Sequence, residues 1–179
     1  MNLKVKRVLF CKDKKKVKEI YFTAFPKKER MPFGMMLALS ILPTTKFVAY
    51  YDEDQVCGFL YYGKVARQVF VMFFAVDEQL RSKGYGSEIL GMLHKKYPKC
   101  RITVTIDPPI EGSLDLEIRQ RRKQFYQRNG FVDSKYDIKL YGIIQQILVS
   151  GGTFSKARFS AFLLAYSCLA IIPKVKTRQ

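Results

Sequence analysis

The chain has 179 residues, 32 Lys and Arg against 15 Asp and Glu for a formal charge of +17, and a 48% hydrophobic content. That apolar share excludes a disordered polymer, and the length suits one domain, residues 1–179, with a core of its own. Cys11, Cys57, Cys100 and Cys168 lie far apart with no C-x-x-C pair, and the chain has one histidine, which argues against zinc or a disulfide framework and for a reducing cytosol.

The positive surface suits a nucleic acid, an anionic surface or a polyanionic cofactor, but no nucleic-acid-binding motif accompanies it. Met1 to Lys6 holds no apolar signal core. Ser160 to Ile172 is apolar but shorter than the roughly 20 residues of a membrane span, so it reads as the end of a buried helix over about residues 155–172. These features predict a soluble, cytoplasmic protein.

Leu3 to Phe10 alternates as a first strand. Asp13 is placed to cap a helix on which Val17, Ile20, Tyr21, Ala24 and Phe25 form one apolar stripe, with Lys12, Lys14, Lys15, Lys16 and Lys18 as its solvated side. Pro26 ends it, Lys27 to Pro32 reads as a loop, and Phe33 to Leu42 as a second helix stopped by Pro43. Lys46–Tyr51 and Val56–Tyr62 are strands of a hairpin around Asp52 to Gln55, and Gly63 to Gln68 breaks the pattern.

Val69 to Val76 is an unbroken apolar run, long enough for a strand buried on both faces. Asp77 to Leu80 turns the chain, Arg81-Ser82-Lys83-Gly84-Tyr85-Gly86 follows, and a helix begins with Ile89, Leu90, Leu93 and Tyr97 on one side. Strand, basic glycine turn and helix together make a phosphate cradle. Helix-start amides lack intrahelical partners and carry the positive end of the dipole, while glycine lets backbone approach an anion. A Walker loop would need Gly-Lys-Ser/Thr where Gly86-Ser87-Glu88 stands, and a dinucleotide fingerprint would need glycine where Ile89 stands.

Arg101 to Ile106 is a further buried strand, Asp107-Pro108-Pro109 and Glu111-Gly112-Ser113 a loop, and about Leu114 to Asn129 a charged helix stopped by Gly130. Phe131–Ser134 and Lys139–Ser150 read as strands, the latter stretch turning around Gly142. A Gly151-Gly152 turn and a last helix from Ser155 complete the chain. One mixed α/β domain fits this order.

The spacing R-x-x-G-x-G in Arg81 to Gly86 resembles the acetyl-CoA pyrophosphate loop of the GNAT-family N-acetyltransferases. Phe125-Tyr126-Gln127-Arg128-Asn129-Gly130-Phe131 resembles that family's late F-Y-x-x-x-G-F signature. The resemblance implies a central mixed, mostly antiparallel sheet flanked by helices, with a splayed central strand pair. It implies that amides of Phe74, Ala75 and Val76 meet the thioester carbonyl, and that Arg81, Ser82, Lys83, Gly84, Tyr85, Gly86 and Ser87 hold the pyrophosphate. Tyr126 matches the tyrosine that protonates the departing CoA thiolate in many relatives. No metal is implied.

The general base does not transfer by resemblance. Asp107 is the first candidate, with a turn-forming carboxylate as its equal alternative; Glu29 and Glu111 follow, and His94 reads as a surface residue. Direct attack by the acceptor amine needs no protein nucleophile. The expected partners are acetyl-CoA and an amine, on a polyamine, an aminoglycoside, a peptide or a protein. A homodimer across the Ser160–Ile172 segment is one further expectation. A non-catalytic acyl-CoA-binding module and a basic nucleic-acid-associated protein are the rival readings.

Overall fold

Two acidic residues, Glu53 and Asp54, form the turn of the hairpin that organises the N-terminal half of the chain. Glu53 takes a left-handed φ of 51°, and Asp52 pairs with Gln55 across the turn. The computed structural model describes residues 1–140, 142–167 and 174–178. Among the described residues it is a mixed α/β fold of eight strands, mostly antiparallel in their pairings, and five α-helices. The chain divides into two compact units, Met1–Lys64 with Val71–Tyr97, and Val65–Phe70 with Pro98–Gln179.

In the first unit β1 (Lys4–Arg7), β2 (Thr45–Asp52), β3 (Gln55–Val65) and β4 (Gln68–Val76, of which Val71 onward belongs here) follow in that order. Helices α1 (Lys14–Ala24), α2 (Phe33–Leu39) and α3 (Tyr85–Lys96) complete it. One core gathers Val17, Ile20 and Tyr21 of α1, Met36 of α2, and Phe47, Ala49 and Tyr51 of β2 with Phe59 and Tyr61 of β3. The Tyr21 ring meets Phe59 and Phe73 edge-on at 6.0 and 5.2 Å. Its hydroxyl accepts from the Met31 amide at 2.7 Å, so one side chain ties helix, strands and following loop together. Such aromatic pairs add about 0.5–1.5 kcal/mol each beyond area burial.

The second unit holds β5 (Arg101–Ile106), α4 (Leu116–Arg128), β6 (Val132–Leu140), β7 (Ile143–Ser150), α5 (Lys156–Tyr166) and β8 (Lys174–Thr177). The strand order is β5-β7-β6-β8, with each neighbouring pair antiparallel. Phe70 packs edge-on to Phe159 of α5 at 5.3 Å. Gly130 ends α4 with a left-handed φ of 80°, and the Phe131 amide donates to the Tyr126 carbonyl.

Several boundaries differ from the sequence reading. The first strand stops at Arg7, because Val8–Phe10 forms a 3-10 turn that swings Val8 into the core. Asp13 stands at the α1 N-cap position without a side-chain cap; its carboxylate accepts from the Tyr51 hydroxyl instead. Lys27–Glu29 winds into a 3-10 turn within the expected loop. α2 ends at Leu39, three residues early, where the Ser40 hydroxyl donates to the Leu37 carbonyl.

β3 runs on to Val65, so the expected break narrows to Ala66-Arg67, with Ala66 at a left-handed φ of 48°. The β4 run is buried at Val69–Val71 and Ala75 but half-buried at Met72–Phe74, not buried on both faces throughout. β6 is one strand from Val132 to Leu140, not two pieces, because an irregularity between Asp133 and Asp137 absorbs its polar middle. α5 is described to Tyr166; residues 168–173, the rest of the expected helix and dimer segment, lie outside the described residues. β8 was not expected: it pairs with β6 over Tyr136–Lys139, and the Arg178 guanidinium beyond it bridges Asp133 and Asp137.

Candidate functional site

The end of β4 is held from two sides. The Asp77 amide donates to the Cys57 carbonyl of β3 at 2.8 Å. Gly58 is required there, because a Cβ at this position would lie 2.5 Å from the Ala75 carbonyl oxygen. The Asp77 side chain is buried and paired with Lys16 of α1 at 2.6 Å, and its other oxygen accepts from the Gln79 amide. Burial pushes this carboxyl upward, but Lys16, the Gln79 amide and Arg81 outweigh it and hold it below the usual carboxylate range.

Beyond Asp77 a 3-10 turn, Glu78–Leu80, plants Leu80 in the interior and leaves Arg81, Ser82 and Lys83 exposed. Ser82 and Gly84 both take positive φ, 63° and 87°. This left-handed turn hands the chain directly to α3, whose first amides, those of Tyr85, Gly86 and Ser87, precede any intrahelical partner. Glu88 is the first to close a helical bond, to the Gly84 carbonyl at 3.1 Å. The turn therefore presents helix-start amides and two cationic side chains at one exposed place.

Tyr85 also has a side-chain role that the sequence did not show. Its hydroxyl donates to Asp52 of the β2–β3 hairpin at 2.6 Å, and that bond raises the phenol to about 12. Its side chain pins the start of α3 to the hairpin. Beside the turn lies a cleft of about 160 Å³, lined by Val76, Asp77, Gln79 and Arg81 and, from α1, by Lys16, Ile20 and Thr23.

In the second unit Tyr126 sits on α4, buried, its phenol raised to about 12 by burial with Arg122 pulling the other way. Asp107 follows β5 and is paired with Arg122 at 3.6 Å, with Gln145 donating to its other oxygen at 3.4 Å. Arg122, one helical turn before Tyr126, thus links the two candidates. Among the other carboxylates, Glu111 is exposed and Glu29 lies in a 3-10 turn. His94 is not a surface residue: it is half-buried on α3, and burial lowers its imidazole from the ordinary value. Among the described residues no cluster of His, Cys, Asp and Glu could hold a metal ion.

Sequence reasoning passed over Gly58, the Lys16–Asp77 pair and Arg122. A glycine inside a strand was the available signal for the first. Lys16 was hidden among four neighbouring lysines, Lys12, Lys14, Lys15 and Lys18.

A family model described as an acetyltransferase (GNAT) domain matches residues 43–133. The chain belongs to the GNAT acetyltransferase family. The matched span runs from β2 through α3 to the end of α4 and holds both glycine-bearing motifs.

A GNAT-family protein from Bacteroides thetaiotaomicron superposes with a TM-score of 0.77 at 21% identity, covering 96% of this chain and 99% of that one. An aminoglycoside 6'-N-acetyltransferase complexed with coenzyme A follows at TM-score 0.65 and 15% identity, covering 84% and 96%. The PaiA N-acetyltransferase from Thermoplasma acidophilum, in complex with coenzyme A, gives 0.58 and 13%, covering 84% and 99%. These likenesses establish the GNAT fold. No curated protein sequence matches the chain. Acyl transfer is the general chemistry that the family supports.

Proposed function

We propose that the protein moves the acetyl group of acetyl-CoA to a primary amine by direct attack in a ternary complex. The observation that carries this reading is the Arg81–Gly86 turn, with Gly84 left-handed at the mouth of α3. Its amides would hold the pyrophosphate, and Arg81 and Lys83 would add charge. Ser82 and Ser87, both exposed, can donate their hydroxyls to the same phosphates.

In this reading Phe74, Ala75 and Val76 supply amides to the thioester carbonyl. Such a donor stabilises the developing oxyanion by about 3 kcal/mol in enzymes generally. Gly58 and the Lys16–Asp77 pair fix the backbone that bears those amides. Tyr126 keeps its proton through the physiological range, as a donor to the leaving thiolate must. Asp107 is paired with Arg122, and its assignment as general base rests on its place at the end of β5.

The acceptor is an amine of a small molecule or of a peptide. A cationic polyamine or aminoglycoside would be repelled by a chain of charge +17, whereas an acidic peptide would be drawn to it. Free Cys11, Cys57 and Cys100, and the lack of any described helix long and apolar enough to cross a membrane, fit a cytoplasmic enzyme. The test is CoA thiol release from acetyl-CoA with an acidic peptide amine, spermidine and kanamycin as acceptors. Amine-dependent release supports the proposal; slow release that no amine accelerates contradicts transfer.

A further inference from the structure

The first unit carries a second cationic site, on the α3-facing side of its strands. Side chains alternate along a strand, and residues paired in register share a face. Lys46 of β2 is opposite Tyr62 of β3, and Lys64 lies two residues further along β3 on the same face. Arg7 of β1 is opposite Val48, two residues from Lys46, and so shares that face as well. From the end of α3, Tyr97 brings its hydroxyl to 3.2 Å from that of Tyr62, and the Lys96 ammonium lies 5.7 Å from the Tyr97 ring centroid. Arg7, Lys46 and Lys64 thus share one strand face with Tyr62, and Lys96 lies beside its partner Tyr97.

No described carboxylate forms an ion pair with any of the four, in contrast to α4, where Arg119, Arg121, Arg122 and Lys123 each have an acidic partner. Arg7 donates to the Ser40 carbonyl, and the carbonyl end of α3 favours Lys96, but neither contact supplies a full negative charge. Burial, followed by Arg7, Lys96 and Lys64, lowers the Lys46 ammonium from its ordinary value. Burial also raises the Tyr62 and Tyr50 phenols, so they stay neutral and offset nothing.

We propose that Arg7, Lys46, Lys64 and Lys96 form an anion site for a phosphate group, with the Tyr62–Tyr97 hydroxyl pair as its floor. A dianion would relieve the mutual repulsion of four cations that now have no counter-charge, and the hydroxyl that does not donate within the tyrosine pair can donate to its oxygens. The site is distinct from the Arg81–Gly86 turn. Tyr85 to Lys96 is eleven steps of about 1.5 Å, which puts Lys96 about 16 Å along the helix axis from the start of α3. The ligand is free phosphate or the phosphate monoester of a small metabolite.

The test is titration with inorganic phosphate and with glycerol phosphate, at an ionic strength held constant with chloride, followed by thermal unfolding and by the side-chain NMR signals of the lysines. Full-length wild type, Gly84→Val and the double variant Lys46→Met/Lys64→Met are compared. Expected are saturable shifts of the Lys46 signals and a rise in Tm in wild type and in Gly84→Val, with at least a fivefold loss of affinity in the double variant. Tighter binding of glycerol phosphate would identify a monoester as the ligand, and equal or weaker binding free phosphate. Without phosphate the double variant should unfold no lower than wild type, because removing two of the cations removes repulsion. Equal phosphate binding by the double variant, a marked fall in its Tm without phosphate, or no effect beyond chloride in wild type would each overturn the proposal.

Discussion

The Lys16 ammonium of α1 lies 2.6 Å from the Asp77 carboxylate at the end of β4, and Asp77 is only 3% exposed while Lys16 is 40% exposed. The pair fastens the first helix to the place where the strand gives way to the Arg81–Gly86 turn. Lys16→Met would strand a buried carboxylate at a cost of about 2 kcal/mol, below the roughly 3–5 kcal/mol of a fully buried pair because Lys16 is 40% exposed. Urea unfolding of Lys16→Met and Asp77→Asn reads the cost directly.

The same pair has a pH signature. The folded-state value of Asp77 is depressed. Its contribution is therefore complete above the unfolded carboxyl value of about 3.9 and is lost as pH falls through the lower folded value. The stability gap between wild type and Asp77→Asn should be widest near neutral pH and should close in acid. A gap independent of pH would mean that the carboxylate charge contributes nothing.

Gly58 tests the backbone beneath the proposed oxyanion donors. A methyl at Gly58 meets the Ala75 carbonyl oxygen at 2.5 Å and the Val76 Cα at 3.2 Å, both backbone atoms that cannot turn away. Gly58→Ala should cost about 1–3 kcal/mol as an overpacking change, and Gly58→Val more. Acetyl-CoA affinity should fall with it even in the folded fraction, measured by calorimetry below the unfolding transition.

The turn divides into backbone and side-chain contributions. Gly84, at φ 87°, has no substitute without strain, and a Cβ there would lie 3.3 Å from the Met1 Cε. Gly84→Val should weaken acetyl-CoA about tenfold or more, and Ser82→Ala or Lys83→Ala by about threefold at most, because in the proposed binding mode helix-start amides carry the anion. Ser82 is itself left-handed, so Ser82→Gly should raise stability by about 0.5 kcal/mol, the balance between relieved backbone strain and a looser unfolded chain.

Tyr126→Phe removes the proposed proton donor and little else. We expect turnover to drop about a hundredfold with KM for acetyl-CoA changed less than about twofold, the usual range for loss of a general acid. With the phenol at about 12, no alkaline fall in wild-type rate below pH 10 should trace to Tyr126. A pH–rate profile of both proteins separates this role from packing against Phe131.

The architecture of the candidate site was legible because it is contiguous: strand, turn and helix succeed one another between Val69 and Lys96, and each announces itself by apolar runs, glycine and periodicity. The F-Y-x-x-x-G-F stretch was legible for the same reason, since Gly130 must be left-handed for α4 to end where it does. What escaped depends on residues distant in sequence. Lys16 looks like its lysine neighbours until Asp77 is set beside it, and the Arg122–Asp107 pair joins a helix to a loop 15 residues earlier. β8 was missed because Lys174–Thr177 has a single buried residue, Val175, and its pairing with β6 is set by tertiary structure.

The most direct measurement is calorimetric titration of the purified protein with acetyl-CoA, CoA and ATP, in wild type and Gly84→Val. Wild type should bind both CoA species with micromolar affinity and ATP much more weakly, and the variant should lose CoA affinity. A well-folded wild type that binds neither CoA species, or a Gly84→Val variant that binds them equally well, would contradict the proposed function.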